Sequence, residues 1–281
     1  MYASALRSEP VGLVASQRQR ALGRVALAVA RRGPATRVLR VAEAGSLRVR
    51  MPRTGAGLEA VLVNTAGGVA CGDSFTVDVE AGPDAQLTLT TPAAEKVYRS
   101  DGATAEVAVR LTLAAGADLA WLPQETIVFD RARLRRGLEA DLAADARLLL
   151  CEAAVFGRSA HGEDLREGFF EDRWRIRRDG KFVYADTLRF AGPVAGLLAR
   201  PAVAGGARAL ATVLYVAPDA ESRLDEARSL VAASACAAGA SGWNGFLAVR
   251  FLARDAAELR RGVVAFLESF RGCRLPRVWQ T

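Results

Sequence analysis

The chain has 281 residues, of which 51% are hydrophobic and 25% charged, and its formal net charge is +7 at pH 7. This length and composition exclude a disordered chain and a small protein that needs disulfides or metal to fold. Only Lys96 and Lys181 are lysines, and the arginines are spread along the chain, often beside acids. We therefore interpret the positive charge as solvated faces and protein interfaces, not as a nucleic-acid-binding surface.

The cysteines and the N-terminal segment indicate the compartment. Cys71, Cys151, Cys236 and Cys273 form no C-x-x-C pair, so the usual zinc site is not indicated. Residues 1–20 carry charges and lack the apolar core of a signal peptide, and no apolar run has the length of a membrane span. We expect a cytoplasmic protein with free thiols and no membrane partner.

Alternating apolar and polar residues predict β-strands through the first two thirds of the chain. This alternation places one face of each strand in a core and the other in water. The apolar positions are Phe75, Val77, Val79, Leu87, Leu89, Val107, Val109, Leu111, Leu113, Trp174 and Ile176. After the last of them, Asp179-Gly180 predicts a tight hairpin turn, because glycine adopts a positive φ at low cost.

A weak repeat connects some of these strands. Residues 79–87, 113–119 and 142–148 each contain a strand end, a corner of small residues with an aspartate, and a second strand. The aspartates lie 34 and 27 residues apart and are Asp84, Asp118 and Asp145. A repeat of this length slightly favours stacked β-layers, as in a β-helix, over similar hairpins in a sandwich.

Two helices are predicted in the C-terminal third. Asp219 follows Pro218 and is expected to cap a helix that runs to about residue 235. The second helix begins at Asp255, where Asp255-x-x-Glu258 is similar to a capping box, and Gly272 ends it. Its apolar stripe consists of Leu259, Val263, Phe266, Leu267 and Phe270. No linker divides the chain, so we predict one domain over 1–281, with residues 1–20 poorly ordered.

No motif predicts a catalytic centre. His161 is the only histidine, no G-x-S-x-G accompanies it, and we interpret it as a loop residue. The glycine-rich residues 64–73 lack the G-K-[ST] ending of a phosphate loop and predict a tight loop. Glu125 and Glu152 stand between apolar residues and need partners. Those partners are either arginines inside the protein, a polar interior path or a protein interface.

Five segments in order resemble the family of urease accessory protein D, also called H in some organisms. They are NTAGGVACGD at 64–73, TTPAAEKVYRS at 90–100, LPQETIVF at 122–129, EAAVFGRSAHGE at 152–163 and LPRVW at 275–279. The resemblance extends from about residue 20 to the C-terminus. It implies a mainly β fold with a layered, β-helix-like (solenoid-like) body and two α-helices in the C-terminal third, which agrees with the periodicity.

The resemblance also implies a function in urease maturation. The family binds urease accessory protein F, and that complex recruits accessory protein G, a GTP-hydrolysing nickel carrier, and docks on apo-urease. For this chain it implies a scaffold that is not an enzyme and binds no cofactor tightly. Nickel would be in transit only, and GTP would enter only through the partner GTPase.

Candidate residues for a nickel path or for partner contacts come from the matching segments. They are Asp73, Lys96, Tyr98, Arg99, Glu125, Glu152, Arg158 and Glu163. Carboxylates along a wet path would pass nickel through weak, exchangeable contacts. Cys71 and His161 are weak candidates for metal ligands, because the family commonly has glycine and methionine there. The helix at Asp255 and the tail ending at Trp279 are candidate contacts for accessory protein F, unless the helix stripe simply packs on the β body.

Two other classes of protein stay open. A β-solenoid hydrolase would need clustered carboxylates with the spacing that glycosidases use. A basic nucleic-acid-binding protein would lose affinity steeply with salt.

Overall fold

The computed structural model describes residues 20–53, 57–158 and 162–280. His161 and, apart from Arg20, the N-terminal residues expected to be poorly ordered lie outside the described residues. In chain order the strands are β1 (Leu22–Arg32), β2 (Ala35–Gly45), β3 (Leu47–Arg50), β4 (Leu58–Asn64), β5 (Ser74–Ala81), β6 (Gln86–Thr90), β7 (Glu95–Val97), β8 (Ala105–Leu113), β9 (Asp118–Leu122), β10 (Thr126–Val128), β11 (Arg133–Leu142), β12 (Arg147–Phe156), β13 (Gly168–Arg178), β14 (Lys181–Gly192), β15 (Ala209–Val216), β16 (Ala237–Trp243) and β17 (Phe246–Ala253). The helices are α1 (Val194–Leu198), α2 (Leu224–Ala232) and α3 (Ala256–Arg271), with 3₁₀ turns at Glu221–Arg223 and Arg277–Trp279.

The strands form two sheets. The first sheet has the order β14-β13-β11-β8-β5-β1-β2, and the second has the order β16-β17-β15-β12-β9-β6-β4-β3 with β7 and β10 attached beside β12. Strands β5, β8, β11 and β13 run parallel in the first sheet, as do β6, β9 and β12 in the second. Each turn of the chain therefore crosses from one sheet to the other, which confirms the layered, β-helix-like prediction.

The corners between the sheets stack on one another through backbone hydrogen bonds. Asp84 N donates to Ala115 O at 3.0 Å, and around the next corner Ala143 N donates to Leu113 O at 2.9 Å and Arg147 N to Ala117 O at 2.8 Å. Ala85, Ala117 and Ala146 are fully buried at equivalent places. A larger side chain there would not fit between layers, because interiors are close-packed. The small-residue corners thus set the spacing of the layers.

The register corrects the predicted repeat. Ser74 pairs with Glu106 and Glu106 with Arg135, so the layers are offset by 32 and 29 residues, not by 34 and 27. Gly116, not Asp118, occupies the corner position of Asp84. A Cβ atom on Gly116 would lie 2.1 Å from an oxygen of Asp84, and the φ of Gly116 is +68°. Glycine is required there for both reasons. Because this corner has glycine where the first has aspartate, the aspartates alone gave the wrong spacing for the repeat.

The Asp179-Gly180 hairpin is confirmed. Both residues have positive φ angles, 50° and 73°, as a type I′ turn requires, and they join β13 to β14. The buried residues between the sheets form the larger core, in which Phe170, Leu134 and Leu138 are almost completely inaccessible. Each such side chain contributes about 1.5–3 kcal/mol by leaving water.

Helix α3 matches its prediction. Asp255 Oδ1 accepts a hydrogen bond from Glu258 N at 2.8 Å, and Glu258 Oε2 accepts one from Arg254 N at 3.1 Å. Gly272 ends the helix with a φ of 66°. The five residues of the apolar stripe are all buried, in a second core between α3 and the outer face of β15 and β17. Phe266 and Phe251 meet there with ring centroids 5.6 Å apart.

Replacing Asp255 with alanine is expected to lower the free energy of unfolding by about 1 kcal/mol, because the cap bond to Glu258 N is lost. Asp225→Ala is the matched control, since Asp225 lies in the first turn of α2 and its side chain is 95% exposed. Urea unfolding of both variants measures the difference. Equal losses would contradict the assignment of the cap.

The other predicted helix begins later than expected. Helix α2 starts at Leu224, after a 3₁₀ turn, and ends at Ala232 rather than near residue 235. Asp219 does not cap it, because its carboxylate accepts hydrogen bonds from Tyr215 Oη at 2.9 Å and Arg147 Nη1 at 3.4 Å. The short α1, of five residues, was not predicted, since one turn of helix carries no readable period.

Candidate functional site

A buried cluster of three charged side chains lies between the sheets; we call it the interior triad, Arg136, Glu152 and Asp172. Arg136 Nη1 donates to Glu152 Oε2, and Arg136 Nη2 donates to Asp172 Oδ2 at 2.5 Å. The remaining carboxylate oxygens accept indole N–H bonds from Trp121, at 2.8 Å, and Trp174, at 3.2 Å. None of the three charged residues is more than 8% exposed. Sequence reasoning predicted only Glu152.

Strand alternation places these charges inside. Arg136 lies between the buried Leu134 and Leu138 on β11, and Asp172 lies between two buried aromatic residues on β13. Arg136 and Asp172 are direct partners in the parallel register, so their side chains leave the sheet side by side. Glu152 approaches from the opposite sheet. The alternation of residues along β11 could have identified Arg136, because this arginine occupies an inward-facing position.

Burial and the neighbouring charges shift the pKa values of the triad in opposite directions. Burial raises the pKa of Glu152 to about 7, although the Arg136 guanidinium favours the ionised form. Burial also opposes the charge of Arg136, yet the carboxylates of Asp172 and Glu152 hold its pKa above its ordinary value. Arg136 Nε is buried and has no hydrogen-bond partner in the described part of the chain. The network is therefore not completely satisfied.

Three spaces follow one another through this region. A cavity of about 110 Å³ is bounded by Arg136 and Glu152 and extends to Asn64 and Glu95. A second space of about 20 Å³, enough for about one water molecule, shares Arg136 and Glu152 and extends to Asp186. Asp186 also borders a cleft of about 680 Å³ between β14 and β16. The interior triad thus lies where the first two spaces meet.

One end of the cavity of about 110 Å³ is formed by residues of the segments 64–73 and 90–100. Asn64 Nδ2 donates to Gly68 O at 2.8 Å and to Glu95 Oε2 at 3.4 Å. Burial raises the pKa of Glu95, and the hydrogen bond from Asn64 opposes this only in part. Gly68 is needed for close approach, because a Cβ atom there would lie 2.8 Å from Lys96 O and 2.4 Å from Tyr98. Glu95 was not among the predicted site residues.

Three of the predicted residues meet around Phe129 at the surface. Tyr98 packs edge-on against Phe129 with ring centroids 5.2 Å apart, and the Arg158 guanidinium lies 4.2 Å from the same ring. Arg158 forms an ion pair with Glu163, whose other oxygen accepts a bond from Asp130 N at 2.7 Å. The Phe129 cluster (Tyr98, Phe129, Arg158 and Glu163) does not line the three spaces described above, and its function as a partner contact stays a prediction.

The structure separates the remaining candidates. Asp73 is buried and accepts hydrogen bonds from Ala21 N at 2.8 Å and Ala70 N at 2.7 Å, so it fixes the loop ahead of β5. Lys96 and Arg99 are exposed, on and just after β7. The four predicted path carboxylates, Asp73, Glu125, Glu152 and Glu163, each have separate hydrogen-bond partners, and their function in a nickel path stays a prediction. Of these, Glu152 borders the interior cavities.

Glu125 holds α3 against the β body. Arg260 Nη1 lies 3.0 Å from Glu125 Oε1 and 3.1 Å from Gln124 Oε1, and Arg260 Nη2 donates to Trp279 O at 2.8 Å. Glu125 is 7% exposed, so this ion pair is largely removed from water. The buried carboxylate thus has an arginine partner inside the protein, which was one of the alternatives open from the sequence.

The C-terminal tail closes over the same segment. Trp279 is 4% exposed, and its indole N–H lies 3.0 Å from Thr90 Oγ1 and 3.1 Å from Leu122 O. Gln124 Nε2 donates to Val278 O at 2.9 Å. The alternative in which the helix stripe packs on the β body is confirmed, and the tail packs there as well. A contact of accessory protein F with their exposed side stays a prediction.

The thiols and the described acids offer no preformed metal site. All four cysteines are free, and only Cys273 is exposed. Cys71 is buried and its thiol donates to Asp101. Among the described residues, which do not include His161, no group of three or more cysteine, aspartate, glutamate or histidine side chains could hold a metal ion. No described helix is both long and apolar enough to cross a membrane.

Five arginines on the outer face of the first sheet are paired with acids. Such exposed pairs contribute about 0–1 kcal/mol each. The pairs are Arg24–Asp78, Arg110–Asp78, Arg135–Glu106, Arg135–Glu171, Arg40–Glu80 and Arg189–Glu171, with N–O distances of 2.8–3.6 Å. This is the solvated face that the sequence pattern indicated.

Comparisons with known proteins agree on one family. The family model described as UreD urease accessory protein matches residues 21–280. Similar proteins include urease accessory proteins UreD of Xanthobacter autotrophicus, 60% identical over 99% of both chains, and of Azorhizobium caulinodans, 58% identical over 94% of this chain and 98% of the other. The urease accessory protein UreD 3 of a Bradyrhizobium species is 50% identical over 98% of this chain and 99% of its own. This chain belongs to the UreD urease accessory protein family.

Proposed function

We propose that this chain is a scaffold for urease maturation that acts with urease accessory proteins F and G on apo-urease and supports GTP-dependent nickel insertion. The observation that carries the proposal is the family match over residues 21–280. The chain contributes no catalytic residue and binds no cofactor tightly. GTP enters through accessory protein G, nickel passes in transit, and the complex works in the cytoplasm.

We further propose that nickel passes through the interior of this chain. The support is the row of three spaces that meet at the interior triad. Glu95, Glu152 and Asp186 place carboxylates along this row. Carboxylates hold Ni²⁺ less firmly than imidazoles or thiolates do, so they suit an ion that has to move on. The path runs between the two sheets, and of the carboxylates predicted from the sequence it includes Glu152.

Co-expression followed by pull-down tests the proposed assembly. The tagged chain is expected to co-purify with urease subunits and with accessory protein F, and to recruit accessory protein G in the presence of GTP. Urease activity and nickel content of the purified complex are measured with and without this chain. Failure to co-purify with either urease or accessory protein F would refute the scaffold function.

Replacing Glu152 with glutamine is expected to reduce urease activation while the complex with accessory protein F still forms. Glutamine has nearly the same shape as glutamate but cannot offer a negative charge to a passing cation. Glu106→Gln is the matched control, because Glu106 lies on the outer face of the first sheet with its side chain 56% exposed. Normal nickel incorporation with the Glu152→Gln protein would refute the proposed passage of nickel through the interior.

The alternative functions have no specific observation in their favour. A hydrolase would need carboxylates free to reach a substrate, whereas Glu152 and Asp172 are buried and both bonded to Arg136. A nucleic-acid binder would need unpaired cations on one face, whereas the arginines of the outer sheet face alternate with acids. The family match points to neither class.

A further inference from the structure

The interior triad is balanced in charge only while one of its two carboxylates is protonated. When both carboxylates are ionised, Glu152 and Asp172 carry two negative charges and Arg136 carries one positive charge. Removing charge from water is expensive unless it is compensated. One divalent cation would balance the two carboxylates fully, which a single guanidinium does not.

The two carboxylates are held in place independently of Arg136. The Trp121 indole donates to Glu152 Oε1 at 2.8 Å, and the Trp174 indole donates to Asp172 Oδ1 at 3.2 Å. Arg136 uses the other oxygen of each carboxylate. If the guanidinium moved away, these two oxygens would still face the space that it leaves.

Arg136 also has somewhere to move. Its guanidinium borders the cavity of about 110 Å³, where Nη1 is already within 3.2 Å of Thr126 Oγ1. Glu95 lines the same cavity and offers the displaced guanidinium another carboxylate. The unpartnered Nε shows that the present position does not use all donors of the side chain.

We propose that Arg136 is a displaceable counter-cation: a divalent cation in transit takes its place between Glu152 and Asp172 while the guanidinium turns into the cavity. This deepens, and rests on, the proposed passage of nickel. While the guanidinium is in place, its positive charge repels monovalent cations, which cannot balance both carboxylates and so do not displace it. The guanidinium returns when the divalent cation leaves, so the ion is not retained. Arg136 thereby determines both the selectivity and the release of the cation.

Nickel binding to the purified full chain tests this. All proteins carry Cys273→Ser, which removes the exposed thiol, and Ni²⁺ is titrated with calorimetry and tryptophan fluorescence as readouts. Arg136→Gln is expected to bind Ni²⁺ about tenfold more tightly than the parent protein, or more, because the competing charge is gone. Arg136→Lys is expected to show a smaller gain, since an ammonium group cannot bridge both carboxylates as a guanidinium does.

The matched control is Arg135→Gln, which removes the same charge one residue away on the exposed face of β11. It is expected to leave Ni²⁺ affinity unchanged. Adding Glu152→Gln and Asp172→Asn to Arg136→Gln is expected to abolish the gain. A purely structural Arg136 would lower the melting temperature of its variants without raising their nickel affinity.

Two results would overturn the proposal. One is a folded Arg136→Gln protein, or a folded Arg136→Lys protein if glutamine prevents folding, that binds Ni²⁺ no more tightly than the parent. The other is a gain in affinity that persists without Glu152 and Asp172. Failure of the maturation function appears in a different measurement, as lack of urease activation by the parent protein.

Discussion

Replacing Arg136 with methionine is expected to lower the free energy of unfolding by about 3–5 kcal/mol at neutral pH, because two buried carboxylates lose their cation. The loss is expected to be larger at pH 8 than at pH 5. The pKa of Glu152 in the folded protein is about 7, above its ordinary value, so the folded state favours the protonated form. This contribution to stability is lost as the pH rises through 7, and without Arg136 the ionised form costs still more.

Two controls separate charge from packing. Arg135→Met removes an exposed arginine from the same strand and is expected to change the stability by less than about 1 kcal/mol. Combining Arg136→Met with Glu152→Leu and Asp172→Leu removes the charges together and is expected to recover most of the stability. Urea unfolding at pH 5 and pH 8 measures all of these. A loss that does not depend on pH would assign Arg136 a packing function only.

Replacing Trp279 with alanine is expected to lower the free energy of unfolding by about 3–5 kcal/mol. The side chain is 4% exposed, and its indole N–H satisfies both Thr90 Oγ1 and Leu122 O. Its loss leaves a cavity beneath the tail and removes the donor from these buried acceptors. The Arg260 guanidinium, which lies 5.1 Å from the Trp279 ring, loses that contact as well.

Trp243→Ala is the matched control for this change. Trp243 is 58% exposed at the end of β16, and its replacement is expected to cost no more than about 1 kcal/mol. Thermal and urea unfolding of the two variants give the comparison. A Trp279→Ala protein as stable as Trp243→Ala would mean that the tail does not contribute to the folded body.

The fold could be predicted where local chemistry determines it. Helix α3 follows from the Asp255 cap, the apolar stripe and Gly272, all within one segment of chain. The layered body follows from the repeated corners, although the aspartates alone did not give the correct offset between layers. Buried Ala85, Ala117 and Ala146 mark the true frame, and an alanine-rich sequence conceals them.

The interior triad could be predicted only in part. Glu152 stood out because its neighbours are apolar, whereas Arg136 stands beside Arg135 in a segment that resembles an exposed face. Its partners are set by strand register and by the approach of the opposite sheet. The alternation of residues predicts that Arg136 faces inward, but it does not predict which residues lie opposite it in the core. Long-range pairing of this kind needs the three-dimensional arrangement.

The closure of the tail also has a consequence for the order of events during synthesis. Trp279 and Val278 bond to residues that precede them by 154 to 189 positions, so they are synthesised long after their partners. Contacts of such long sequence separation form late in folding. The layers through β12 are complete in the emerging chain before the tail that covers them has been synthesised. Until residues 278 and 279 have emerged, Thr90, Leu122 and Gln124 lack this cover, and a nascent chain stalled near residue 270 would present this surface to chaperones.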